Sequence, residues 1–216
     1  MTSSVFTNAT VNFCLWEGES VCLSHEPGDL PKHSMDFSEG KGGNTMEKSM
    51  DFISYPFLHE KERIVDHEVL TDELASYLGL ILAMGTSLHA ETEWLMDKVL
   101  HLNGSVRGMV AITPADTKWL LQDYRRLKEQ NLMRLDGFVY PTGHVIACHY
   151  HVARGMAKRV TRNLHLIRHS VPQSLDELID FSELMTNYLF VCALEINRLN
   201  HIDEVRFHSK SYKKGE

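Results

Sequence analysis

The stretch Gly137–Arg162, GFVYPTGHVIACHYHVARGMAKRVTR, decides how the rest of the chain is read. Pro141-Thr142-Gly143 is a turn signal, since proline fixes φ and glycine accepts positive φ. No further proline occurs before Pro172, so a long helix is predicted from that turn to about Ser170. Val145, His149, Val152, Met156, Val160, Leu164 and Ile167 recur at helical spacing and are assigned to its apolar side. On another side His151, Arg154, Lys158, Arg162 and His165 recur at spacings of three and four. They form one cationic stripe about four turns long. Such a stripe repels itself and needs solvent, carboxylates from a neighbouring helix, or an anionic ligand. Solvated surface is the plain reading. Polyphosphate is the sharper one, because guanidinium groups match phosphate oxygens in charge and geometry.

Further helices flank this one. From about Val69 the pattern turns helical, with Thr71 as the expected N-cap and Asp72 and Glu73 at the positive helix start. Leu74, Leu78, Ile81 and Leu82 share a face, and Gly85-Thr86-Ser87 interrupts it. Leu95, Val99 and Leu102 mark a second helix that ends at Asn103-Gly104. Thr113-Pro114 starts a third, with proline at its tolerated first position, and it fades at Asn131. Ser174 and Glu177 make a capping-box start for the last, which buries Phe181, Met185, Tyr188, Cys192 and Ile196. Glu183 and Asn187, four apart, are expected either to face the cationic stripe or to be an exposed polar face. The fold class is all-α, a bundle of four or five helices over 69–203. Residues 1–68 form an extension, with a β-hairpin expected around Glu17-Gly18 and a Gly-rich loop, and 204–216 a polar tail whose HSKSYKKGE stretch, from His208, is expected to fray.

Composition narrows the function. The 216 residues suffice for one sizeable core, and 43% hydrophobic with 24% charged residues is ordinary for a globular protein. A net charge of −7 argues against a general nucleic-acid binder, so any basic site is local. Cys14, Cys22, Cys148 and Cys192 lack paired spacing, which suggests neither a disulfide framework nor a thiolate zinc site and fits a reducing cytoplasm. No signal peptide and no membrane span is read. His144 and Cys148 share a face as helical metal ligands do, yet no HExxH or paired Glu-x-x-His accompanies them, and no metal site is assigned. His149, on the apolar stripe, reads as a satisfied core histidine.

Three blocks together resemble the PduO-type ATP:corrinoid adenosyltransferases: DELASYLGL from Asp72, FVYPTGHVIACHYHVARGMAKRVTR from Phe138, and TNYLFVCALEIN from Thr186. The resemblance covers about Val69 to Asn200, and the middle block is its most specific part. It implies a five-helix bundle, a homotrimer with sites between subunits, and transfer of the 5′-deoxyadenosyl group of ATP to reduced cobalt, with Mg2+ and release of triphosphate. By the same resemblance Arg154 and Asp72 form a catalytic pair, Lys158, Arg159 and Arg162 lie near the phosphates, and Phe138 packs beside the corrin. Gly40, Lys41, Gly43 and Thr45 stand where the family's phosphate loop falls, with Lys41 in place of an aspartate. Glu183 stands near an asparagine that helps bind ATP, Lys158 replaces an arginine, Thr161 a glutamate and Asn187 an aspartate. These departures open an alternative: a degenerate bundle that binds or carries corrinoid, or senses a nucleotide. A helical metal-binding protein using His144 and Cys148 is a third reading.

Overall fold

The computed structural model describes residues 52–211. The expected hairpin and Gly40, Lys41, Gly43 and Thr45 lie outside the described residues. Five helices follow one another: α1 Arg63–Ala83, α2 His89–Gly104, α3 Pro114–Gln130, α4 Val145–Ile167 and α5 Asp176–Leu199. A 3-10 turn, Leu132–Arg134, links α3 to α4. Among the described residues the extended pairing is a single bridge, Val139 with Arg206. The all-α expectation therefore holds.

The core explains the order. α5 packs against both α3 and α4, while α1 packs against α2 and α4. α5 buries Leu189, Val191, Cys192, Ala193 and Leu194 in one run, so it is apolar most of the way round, as a central helix must be. Leu95, Val99 and Leu102 of α2 and Leu120 and Leu127 of α3 are fully or almost fully buried, as their spacing predicts. α3 begins with the Thr113–Asp116 capping box, each side chain bonded to the other's backbone N–H, with Pro114 at the first position.

Three expectations need correction. α1 starts at Arg63, so Thr71 is no cap; its hydroxyl donates inside the helix to the carbonyls of His67 and Glu68, at 2.7 and 3.0 Å. The buried face continues upstream through Val65 and His67, which outweighs the local capping signal. Asp72 thus lies in mid-helix, where no dipole favours it. Ser174 and Glu177 form no capping box: Leu175 is the N-cap, and Glu177 accepts instead from Thr117 at 2.5 Å, tying α5 to α3. In α4, Val145 and Val152 are about half exposed, and Ile146, Ala147, Tyr150 and Ala153 are buried in their stead. Residues 204–207, ahead of the stretch expected to fray, are held by pairing. Tyr140 N–H donates to Val205 O at 2.9 Å and Phe207 N–H to Phe138 O at 2.8 Å, so this segment pairs with the chain entering α4.

Candidate functional site

Gly143 fixes where α4 begins. It has φ +124°, and a Cβ there would run into the Asn197 side-chain amide. Asn197, fully buried on α5, accepts from His144 N–H at 2.9 Å and donates to Thr142 O at 3.1 Å. The amide also donates to Glu204 at 3.3 Å, and Glu204 is paired with Arg134 at 2.6 Å. The Pro-Thr-Gly turn is therefore held from α5, and α4 leaves it in a set direction. His144 Nδ1 accepts from Ile146 N–H at 3.3 Å, so that imidazole caps the helix.

The cationic stripe then divides. Its later residues, Lys158, Arg162 and His165, line a cleft of about 500 Å³ between α4 and α5. Glu183, Thr186 and Asn187 line the opposite wall, with Thr161 and Leu166 on the α4 side. Lys158, Arg162 and Glu183, all named from the sequence, are thus brought together. His165 Nε2 lies 2.9 Å from Glu183 Oε1, which joins the two walls. Arg159 points elsewhere, into an ion pair with Glu73 of α1 at 2.7 Å, and does not line the cleft.

The earlier residues are half-buried. The Arg154 guanidinium lies 4.7 Å from the Phe190 ring centroid, a cation–π stack, while its buried Nε–H has no partner. Burial holds its pKa below the ordinary arginine value. His151 lies beside it, 6.0 Å from the same ring, and its buried Nε2 is also unpartnered. Burial, with the neighbouring Arg154 charge second, lowers the His151 pKa to about 4, so this imidazole is neutral at pH 7.

Phe138 is 70% exposed on the loop before α4. It borders a second hollow with Gly137, Arg206, Phe207 and His208, and the Tyr140–Phe207 edge contact, centroids 5.4 Å apart, supports the loop from beneath. Asp72 is exposed on α1 and borders a third hollow with Tyr55, Glu68 and Asn103. Among the described residues no hydrogen bond or ion pair joins it to Arg154. His149 accepts or donates at 2.8 Å to the Tyr77 hydroxyl, which fits the satisfied-histidine reading. Among the described residues no three His, Cys, Asp or Glu side chains converge as a metal site would require.

Sequence reading missed Phe190 and Asn197. Both lie in the third motif block, and Glu183, Asn187 and Phe190 fall at i, i+4 and i+7 on one face of α5. That face was the available signal.

Residues 58–196 match the family defined as cobalamin adenosyltransferase. The chain belongs to the cobalamin adenosyltransferase family. Its activity is accordingly corrinoid adenosyl transfer, and the protein is a transferase. Solved structures with the same fold include a phenylalanine-to-alanine variant of the PduO-type ATP:corrinoid adenosyltransferase from Lactobacillus reuteri, complexed with cobalamin and ATP. It is 19% identical, with a TM-score of 0.62 over 69% of this chain and 88% of that one. A phenylalanine-to-histidine variant of the same enzyme, with the same two ligands, is 20% identical with a TM-score of 0.61, over 68% and 84%. An arginine-to-lysine variant complexed with ATP gives 19% and 0.61, over 68% and 88%. No curated protein sequence matches this adenosyltransferase.

Proposed function

We propose that this adenosyltransferase moves the 5′-deoxyadenosyl group of ATP to the reduced cobalt of cobalamin and expels triphosphate from the α4–α5 cleft. One observation carries the assignment of the cleft: Lys158, Arg162 and His165 converge there on a wall whose opposite side is rich in hydroxyl and amide groups. The reduced cobalt of a corrinoid supplies the nucleophile, so the protein needs none. What it must supply is position and charge. Lys158 and Arg162 hold the phosphate oxygens of bound ATP. Thr161, Thr186 and Asn187 add hydrogen bonds that orient the nucleotide. Mg2+, bound together with ATP, would offset phosphate charge there and would need no cage of protein carboxylates.

Arg154 and Phe138 are assigned to the corrinoid side. Arg154 carries its charge in a half-buried place with an unused N–H, which suits a partner from outside the chain. We assign that partner as Asp72 of a second subunit, in a homotrimer whose sites lie between subunits. Support comes from the separation of the two residues within one chain and from an apolar face on α1 and α4. Leu80, Val145 and Val152 are 46, 55 and 49% exposed beside the Tyr77–His149 contact. A cytoplasmic location is supported by cysteines without paired spacing. No described helix is long and apolar enough to cross a membrane.

The test is anaerobic conversion of chemically generated cob(I)alamin with ATP and Mg2+, followed by the absorption spectrum and by the light sensitivity of the new cobalt–carbon bond. The expected outcome is product that requires both protein and ATP. Corrinoid binding without product would instead favour a carrier, the reading that the Glu183 carboxylate in the cleft motivates.

A further inference from the structure

We propose that His165 is a specificity-determining residue: protonated, it is the counter-charge that lets Glu183 stand inside a polyphosphate cleft. The inference rests on the cleft being the triphosphate site. Glu183 is the single acidic residue lining it, facing Lys158, Arg162 and His165 across a gap of about 500 Å³. A bare carboxylate there repels phosphate oxygens and competes with them for the two permanent cations. The contact of 2.9 Å between His165 Nε2 and Glu183 Oε1 is the one ion pair that Glu183 makes among the described residues.

That pair does little for the fold. The two side chains are 46% and 58% exposed, and exposed pairs contribute roughly 0–1 kcal/mol. Its consequence appears when an anion arrives. With neutral imidazole the lining carries Lys158, Arg162 and an uncompensated Glu183; with imidazolium, Glu183 is cancelled and both permanent cations are free for phosphate. The other charged groups nearby lie on a different side of α4: Lys61, Glu60, Glu62, Asp66 and Arg159 border the depression that Arg162 shares with α1, not the cleft.

The sign follows. The protonated imidazole favours the ligand, so affinity falls where the imidazole loses its proton. A permanent cation at 165 removes that fall.

The experiment is calorimetric titration of the full chain with inorganic triphosphate at about pH 6 and about pH 8.5, spanning the imidazole range. The ligand's own titration is common to every variant and cancels in the comparison. His165→Ala is expected to bind about tenfold more weakly than the unmodified chain at the lower pH. His165→Lys keeps its affinity at the higher pH. The loss caused by His165→Ala is expected to shrink in a Glu183→Gln background, and an equal loss in both backgrounds overturns the counter-charge role. Equal affinity of His165→Ala and the unmodified chain at the lower pH overturns the proposal, as does a double variant as weak as His165→Ala. If the unmodified chain binds no triphosphate, the cleft assignment and this proposal fall together. Cob(I)alamin conversion then reports separately whether the family reaction survives.

Discussion

The two ends of the cationic stripe on α4 share one helix face and have different surroundings. His151 and Arg154 lie against Phe190 with buried nitrogens left unpaired. Lys158 and Arg162 are exposed, and His165 already faces a carboxylate. Identical periodicity thus yields a desolvated half that waits for a specific partner and a solvated half that tolerates many anions. Desolvation makes each interaction stronger and each vacancy costlier, so substitutions at the inner end are expected to act on turnover. Substitutions at the outer end are expected to act on nucleotide affinity.

The sharpest break of this comparison is Arg154→Ala. It removes the stacked guanidinium and the only charge at the inner end. We expect cob(I)alamin conversion to fall by about 10³-fold, with helical circular dichroism retained, since the adjacent core residues Ala153, Met156 and Ala157 are untouched. Arg154→Lys is expected to fail nearly as badly, because an ammonium lacks the flat face that lies on Phe190. Full turnover in Arg154→Ala would remove the inner end from the site altogether.

How much of this was legible in the sequence differs along the same helix. The existence of α4, its opening turn and the stripe follow from spacing alone, and all five stripe residues keep one face, in the cleft or against Phe190. The apolar side was misphased at its start. Val145 and Val152 suit a core by type, yet Ile146, Ala147, Tyr150 and Ala153 take the buried positions, because the packing of α1 and α5 on α4 sets which side faces inward. Burial of His151 was equally hidden, since it depends on Phe190, a residue that joins the site only when α5 packs on α4. Thr71 illustrates the reverse error: a good capping residue that tertiary burial absorbed into a helix interior.

A medium effect separates buried histidines from the cleft. His67 is fully buried with Nε2 3.2 Å from Leu102 O, and burial lowers its pKa to about 4, as it does for His151. Both folded values lie below the ordinary imidazole value of 6.5. Between pH 6.5 and about 4 the unfolded chain therefore binds protons that the folded chain refuses. Stability is fully present above that window and is lost as pH falls through it, by on the order of 2 kcal/mol for each histidine. Melting temperature against pH should show this acid arm. His151→Leu should make it shallower, leaving the share that His67 contributes. An unaltered arm in His151→Leu would mean that the inner end is wetter than its burial implies.

The smallest expected effect tests the outer end. Lys158 is exposed and presents a single ammonium where bidentate contact is absent. Lys158→Ala should weaken ATP binding by about three- to tenfold, and added salt should narrow the difference, since exposed charges are screened. Lys158→Arg should bind at least as tightly as the unmodified chain, because the fork adds a second hydrogen bond without a new charge. Turnover at saturating ATP should stay within about twofold in both, which is the split between affinity and rate that distinguishes this end from Arg154. A loss of saturated turnover in Lys158→Ala as large as that in Arg154→Ala would erase the division of the stripe. The cations of α4 would then act as one electrostatic unit on the transition state, and burial at the inner end would have lost its functional meaning.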